Sequence, residues 1–299
     1  GGITRIMPIF YSRIPEMVIS LRSARYYFVE LASPYSPHYL HWGAAHVPPC
    51  QTAGTCAKDT EPDVDAYSRI VQLGLPNLDA GNYACQNDAP ECAFGRDSKR
   101  LAAGLALEHT AFARLEKVYE KAKEIRPQES WHKFTPMTLV WKFKDGAPLE
   151  ERGAIGTATP ITYNYWDTMA GFNVRWDYDK EKNEYSRSQG DVKQIDYANN
   201  QELRAKSIIV RFTKEPPVGD KKNHLYQGIV GSGDALIFQD GKVIQAKWNR
   251  ATHEELDKYT DLSGNEVQFV RGQIWVQLIP IGNKVNYQST APATTTGGN

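Results

Sequence analysis

From residue 137 onward the chain reads as one β-segment after another, and this stretch constrains the fold more than any other feature. "MTLVWKFKDG", "ITYNYW", "FNVRWDYD", "NEYSRS", "SIIVRFTK", "LYQGIVGSGDALIFQDGKVIQAKW" and "QIWVQLIPI" are alternating or β-branched, with Gly- and Asp-containing turns between them. Alternation at period 2 suits strands that bury one face. "YDKEKNEYSR" and "IFQDGKVIQAKW" read as hairpins, the second through Asp240-Gly241. Asp-Gly accepts the positive φ that a tight hairpin turn needs. "GSGDA" (Gly231–Ala235), lying between two such segments, reads as a turn.

In "FNVRWDYD", alternation places Phe172, Val174, Trp176 and Tyr178 on one face and Asn173, Arg175 and Asp177 on the other. That pattern is a core stripe. The competing reading is a sugar-stacking platform of Trp166, Trp176, Tyr178 and Tyr185.

The N-terminal part is different. "ITRIMPIFY" (Ile3–Tyr11) reads as a strand, with Pro8 ending it or placing it near an edge. "RSARYYFVELASPY" reads as a helix from Ser23, with Ala24, Tyr27, Phe28 and Leu31 on one face, and "HYLHWGAA" as a short strand. Strand, helix and strand suggest a βαβ-like unit. "ALEHTAFARLEKVYEKAKEI" is the clearest helix, capped at Thr110, with Phe112, Leu115, Tyr119, Ala122 and Ile125 as its apolar stripe.

The expected fold is therefore α+β. An α/β-type N-terminal domain with a mixed sheet spans 1–150 and carries a Cys-containing insertion at about 48–100. A β-rich, mostly antiparallel C-terminal domain spans 151–282, and 283–299 is a flexible polar tail.

The insertion holds all four cysteines, Cys50, Cys56, Cys85 and Cys92, in loop-like sequence. An even count in such loops suggests two disulfides and an oxidising compartment. Three pairings are possible, and the local pairs Cys50–Cys56 and Cys85–Cys92 each close a small loop. Zinc is the rival, since His46 precedes Cys50, but structural zinc favours tighter Cys spacing. Asp59, Glu61, Asp63 and Asp65 lack the Gly and distal Glu of a calcium loop and read as a solvated acidic run. No metal site and no cofactor are expected.

Composition narrows the partners. Thirty-five basic residues balance 35 acidic ones, which argues against nucleic acid. No apolar run is long enough for a transmembrane span. No G-x-S-x-G, H-E-x-x-H or phosphate-loop motif is present.

The candidate ligand pocket is Arg22, Ser23, Arg25, His41 and His109. Arg22 and Arg25 stand at the start of the predicted helix, where guanidinium forks and free N–H groups favour a carboxylate or phosphate. The bland reading pairs one arginine with a carboxylate such as Glu30 or Glu108. His41 closes a strand and His109 opens the long helix, so a shared pocket is expected. Each is also a candidate for an ordinary hydrogen-bonded structural role.

Taken in order, "GGITRIMPIF", "LRSARYYFVELASPYSPHYLHWG", "EHTAFARLEKVYEKA", "VRWDYDKEKNEYSRSQGD", "AKSIIVRF", "GSGDALIFQDGKVIQAKW" and "RGQIWVQLIP" resemble the YerB-like bacterial lipoprotein family. Its paired N- and C-terminal domains have no assigned activity. The resemblance covers most of the chain apart from the cysteine insertion and tail. One departure is Ile19-Ser20-Leu21, where the family commonly has Gly-Pro-Val. The resemblance implies an extracytoplasmic protein, secreted or at the cell surface, lipid-anchored through a segment upstream of Gly1. That segment, or a partner chain, would complete the N-terminal sheet. The implied work is binding or scaffolding for an envelope polymer or another envelope protein. The alternatives are a hydrolase or transferase acting on envelope glycans, and a structural subunit of an extracellular assembly.

Overall fold

The computed structural model describes residues 4–10, 13–45, 64–127, 141–153, 159–218 and 224–288. In chain order the first half contains β1 (Met17–Ile19), α1 (Tyr26–Ala32), β2 (Tyr39–His41), α2 (Ala66–Gln72), β3 (Asn77–Asp79), β4 (Phe94–Arg96), α3 (Ser98–Ala102), β5 (Ala111–Arg114) and α4 (Leu115–Ile125). The second half contains β6 (Lys142–Lys144), β7 (Ile161–Tyr163), β8 (Val174–Asp179), β9 (Glu184–Gln189), β10 (Val192–Lys193), β11 (Arg204–Ala205) and β12 (Ser207–Thr213). It continues with β13 (Gly231–Gln239), β14 (Lys242–Arg250), β15 (Lys258–Asp261), β16 (Gln268–Val270), β17 (Ile274–Pro280) and β18 (Val285–Asn286). The fold is mixed α+β with a β-rich C-terminal part.

Two sheets build that C-terminal part. One runs β10-β9-β8-β7-β18 with β11 beside β9, and the other β15-β14-β13-β12-β17. All their pairings are antiparallel except β12 with β17. Ile161, Val174, Trp176 and Tyr185 from the first sheet meet Ile208, Val210 and Phe238 from the second in one core. Strand β12 is buried on both faces, because Ile209 packs the other way against Ile237, Trp248, Tyr259 and Phe269. A continuous apolar run such as "SIIV" is what a doubly covered strand requires.

The hairpin expectations hold. β8 pairs with β9, and β13 with β14, in antiparallel register. Asp240 and Gly241 close the second hairpin with φ of 53° and 68°. A Cβ on Gly241 would lie 2.4 Å from the Tyr178 ring, so that position has no room for a side chain. Trp176 and Tyr185 are fully buried, which makes them core residues rather than a sugar platform. Gly231–Ala235 is not a turn but the start of β13.

The N-terminal half corrects several expectations. Residues 4–10 belong to no strand, and Ile6, Ile9 and Phe10 are 51%, 47% and 43% exposed. The first strand is β1, further along, and it forms the edge of the antiparallel sheet β1-β5-β4. β2 pairs in parallel with β3 in a separate two-stranded sheet, so β1, α1 and β2 are not a βαβ unit. The expected long helix begins late. Ala111–Arg114 is strand β5, paired on both sides, and tertiary pairing overrides the helix propensity of Ala and Arg there.

The described part of the expected insertion, 64–100, is no loose loop. It supplies α2, β3, β4 and part of α3, and Leu78 and Phe94 are buried under α4. Cys85 and Cys92 form a disulfide, which excludes them as zinc ligands. Cys50, Cys56, His46, Asp59, Glu61 and Asp63 lie outside the described residues. Asp65 caps α2 by accepting from the Ser68 N–H. The tail also starts later than 283, since β18 pairs with β7 and Tyr287 packs on Phe238.

The two halves meet through buried charge. Glu30 on α1 is buried, with its Oε1 2.9 Å from Arg69 Nη2 and 2.8 Å from His253 Nδ1. Arg250, at the end of β14, donates to the Glu30 and His253 carbonyls at 2.6 and 2.7 Å. Behind it, Arg211 donates to Asp257 at 2.6 Å and lies 3.7 Å over the Trp248 ring. The Tyr259 hydroxyl donates to the same carboxylate at 2.9 Å.

Candidate functional site

The segment after β1 sets the site. Ala24 bridges to Ala44, and the Trp42 N–H donates to the Arg22 carbonyl at 3.1 Å, so residues 22–24 run beside the end of β2. Strand-like backbone here sends Arg22 and Ser23 to opposite sides. Arg22 Nη1 donates to the Glu108 carbonyl at 3.1 Å and lies 3.4 Å from His109 Nδ1. Ser20 and Arg100 both donate to the His109 carbonyl, at 2.9 and 3.0 Å. Arg96 donates to the Leu107 carbonyl at 2.6 Å and stacks 4.1 Å from the Trp42 ring. The Leu107–His109 turn therefore collects three guanidinium groups on its carbonyls, where the local dipole is negative.

Arg25 precedes α1. Among the described residues its Nη1 donates to carbonyls of its own turn, those of Ser23 and Ala24, at 3.2 and 3.1 Å. Burial, and then the charge of Arg5, lower the Arg25 guanidinium to about 10; Tyr27 opposes this and Arg22 adds to it. Arg5 is lowered by burial, with Tyr27 opposing and Arg22 contributing. The Arg5 Nε is buried without a hydrogen-bond partner. Arg5, Arg22 and Arg25 thus repel one another, and among the described residues no salt bridge ties any of them to a carboxylate. Arginines withdrawn from water are ordinarily paired, so this half-buried cluster favours an anion.

His41 does not share that role. It is buried, with Nδ1 2.8 Å from the Gly43 carbonyl and Nε2 3.4 Å from Asn77 Oδ1. Both ring nitrogens are engaged within the β2–β3 pair. His109 closes a 3-10 turn rather than opening a helix. The structure therefore brings Arg22 and His109 together, places Arg25 beyond Ser23 toward Arg5, and keeps His41 as a framework residue. Ser23 lies 3.7 Å from where a Cβ on Gly43 would stand. The seven-residue α1 adds no anion site of its own. Glu30 and Glu108 pair with neither Arg25 nor the Arg22 guanidinium through their carboxylates; Glu30 is held by Arg69. Arg5 and Arg100 were not legible from sequence spacing, because both reach the cluster only through the fold.

These arginines face an open cleft between the halves. Arg22, Arg100 and His109 line one cavity of about 2260 Å³ together with Ile195 and Tyr197 from the C-terminal half. Arg25 lines an adjoining cavity of about 1530 Å³, and Arg5 lines both. Arg100 also stacks 5.3 Å from the Tyr197 ring. No group of three or more metal-ligating side chains occurs among the described residues. None of the described helices is long and apolar enough to cross a membrane.

A short-stranded N-terminal unit clamped to a β-rich C-terminal unit, with a cationic cleft between them, defines a two-part α+β protein. The chain belongs to the DUF3048 family: residues 1–128 match its N-terminal domain and 161–276 its C-terminal domain, each described as a protein of unknown function. It is 22% identical over 282 residues to the Bacillus subtilis (strain 168) protein named "Putative lipoprotein YerB", covering 94% of this chain and 72% of that one. The crystal structure of YerB from Bacillus subtilis superposes with a TM-score of 0.68 at 18% identity, over 92% of this chain and 79% of that chain. The structural likeness carries the fold.

Proposed function

We propose that this chain is an extracytoplasmic cell-envelope protein that works by binding, and that its ligand is an anionic envelope polymer. The location follows from the lipoprotein name of its relative together with the Cys85–Cys92 disulfide. The binding role rests on one observation: Arg5, Arg22 and Arg25 line the adjoining cavities of the cleft with no carboxylate among the described residues ion-paired to them. Three like charges held together raise the energy of the unliganded protein, and an arriving anion relieves it. Guanidinium forks match carboxylate and phosphate oxygens in pairs, which gives orientation as well as attraction.

The test is retention on bacterial sacculi before and after chemical removal of their anionic polymer. The wild-type protein should bind intact sacculi at least about tenfold better than stripped ones, and the binding should weaken with salt. The Arg22→Gln/Arg25→Gln variant, checked for native circular dichroism, should lose that difference. Equal retention of variant and wild type would overturn the reading.

A further inference from the structure

The cleft has a second chemical character beside its charge. The two cavities share the segment Thr4–Phe10 as a common wall, and Phe28, Trp141 and Ile274 border both. Each is larger than the roughly 300–1,000 Å³ of an ordinary small-molecule pocket. Ile6, Ile9 and Phe10 are exposed within five consecutive positions of that wall. Exposed apolar residues normally occur singly, and a contiguous apolar patch marks a binding surface. Here the patch begins one residue after Arg5.

Three of the acidic residues on the same walls are ion-paired to cations other than these arginines. Glu184 is held by Lys206, Glu202 by Lys193 and Arg204, and Asp257 by Arg211. Burial, which favours the neutral form, raises the Glu215 carboxyl against the bond from Gln227. Of Glu116 and Glu120 on the larger cavity's wall, Glu120 lies 3.5 Å from Lys123. Asp196 accepts from the Ala198 N–H at 2.8 Å in its own turn. The shared wall thus carries a cation at its Arg5 end and hydrocarbon along Ile6–Phe10.

We infer that the cleft takes an amphiphilic anion, with a phosphate headgroup against Arg5, Arg22 and Arg25 and a hydrocarbon chain along Ile6, Ile9 and Phe10. This rests on the binding reading above and specifies which part of an envelope polymer is recognised: its lipid-linked end, where a phosphate joins a long chain. A free polyanion would satisfy the arginines and leave the apolar wall in water. A neutral lipid would do the reverse.

Trp141, Trp166 and Trp275 line the smaller cavity, so intrinsic fluorescence of the full chain reports occupancy. Three probes separate the contributions: glycerol phosphate as head alone, a monoacylglycerol as chain alone, and hexadecanoyl lysophosphatidate below its critical micelle concentration as both. Lysophosphatidate should bind saturably and at least roughly 100-fold more tightly than either partial probe, given the gain from burying each methylene. Arg22→Gln/Arg25→Gln and Ile9→Ser/Phe10→Ser should each weaken it at least tenfold, with the second leaving glycerol phosphate binding unchanged. Lysophosphatidate binding no tighter than glycerol phosphate would overturn the inference, and so would no binding at all. Should that happen while sacculus binding still depends on Arg22 and Arg25, the inference alone falls. If the arginine variant also retains sacculus binding, the underlying reading falls with it.

Discussion

Arg211 and Arg22 are the same side chain put to opposite uses. Arg211, in the middle of β12, is fully buried, ion-paired to Asp257, bonded to the Ile229 carbonyl and stacked on Trp248. Arg22 stands beside the end of β2 at a cleft, bonded to one carbonyl and beside one imidazole, with like charges as its neighbours. The first has its charge paired and both Nη groups bonded, with only its Nε left without a partner among the described residues. Among the described residues the second is bonded through Nη1 alone. The contrast separates arginines that hold the fold from arginines available to a ligand.

The comparison is broken most severely at Asp257. Asp257→Ala leaves Arg211 and Arg250 buried without their shared countercharge. Removing one partner of a buried pair should cost about 3–5 kcal/mol, read as a lower midpoint in urea. A loss under about 1 kcal/mol would mean that Arg211 is as loosely satisfied as Arg22.

Glu30→Gln tests the junction. It removes the charge facing Arg69 and His253 and one of the two acceptor oxygens but keeps the volume. Because Arg69 and His253 are partly exposed and rehydrate, the cost should be smaller, about 1–3 kcal/mol. The same substitution should make the two halves unfold less cooperatively, visible as separate transitions by tryptophan fluorescence and far-UV circular dichroism.

Asp240 gives a pH-dependent case. Burial pushes its carboxyl upward, but bonds from Asn183, Lys144 and the Ala147 N–H outweigh burial and hold it below the usual carboxylate range. A depressed native pKa contributes stability that is full above the unfolded value and is lost as pH falls through the native one. Asp240→Asn, which still suits the positive φ of that turn, should therefore cost about 1 kcal/mol at neutral pH. The difference from wild type should shrink toward zero in acid below pH 3.8. A difference independent of pH would assign the effect to packing instead.

Much of the C-terminal half was legible because local signals agree with tertiary ones. Alternation predicted the buried face of β8, and Asp240-Gly241 predicted a turn whose tight contact with Tyr178 leaves no alternative residue. The N-terminal half was harder to read, since its strands are three or four residues long and are defined by their partners. Ala111–Arg114 looks helical alone and is a strand because β1 and β4 flank it. Ile3–Phe10 has the density of a core strand, yet its described residues form the wall of a cleft. The site was partly visible: Arg22 with Arg25 suggested an anion, and His109 joins Arg22. His41 had the right sequence position and the wrong environment. Arg5 and Arg100 carry no local signature, since only the packing of distant segments brings them to the cluster.

The smallest expected effect on stability is the most informative about function. Arg22→Gln/Arg25→Gln removes mutual repulsion and partly exposed bonds to the Glu108, Ser23 and Ala24 carbonyls that water can replace, but no ion pair among the described residues, so stability should stay within about 0.5 kcal/mol of wild type. The direct measurement is thermal unfolding of both proteins with and without inorganic phosphate at constant ionic strength. An anion bound only by the native state raises the midpoint by mass action. Phosphate should raise the wild-type midpoint by about 2–4 °C and leave the variant unmoved. Equal shifts in the two proteins, or none in either, would contradict the claim that these arginines are held open for an anion.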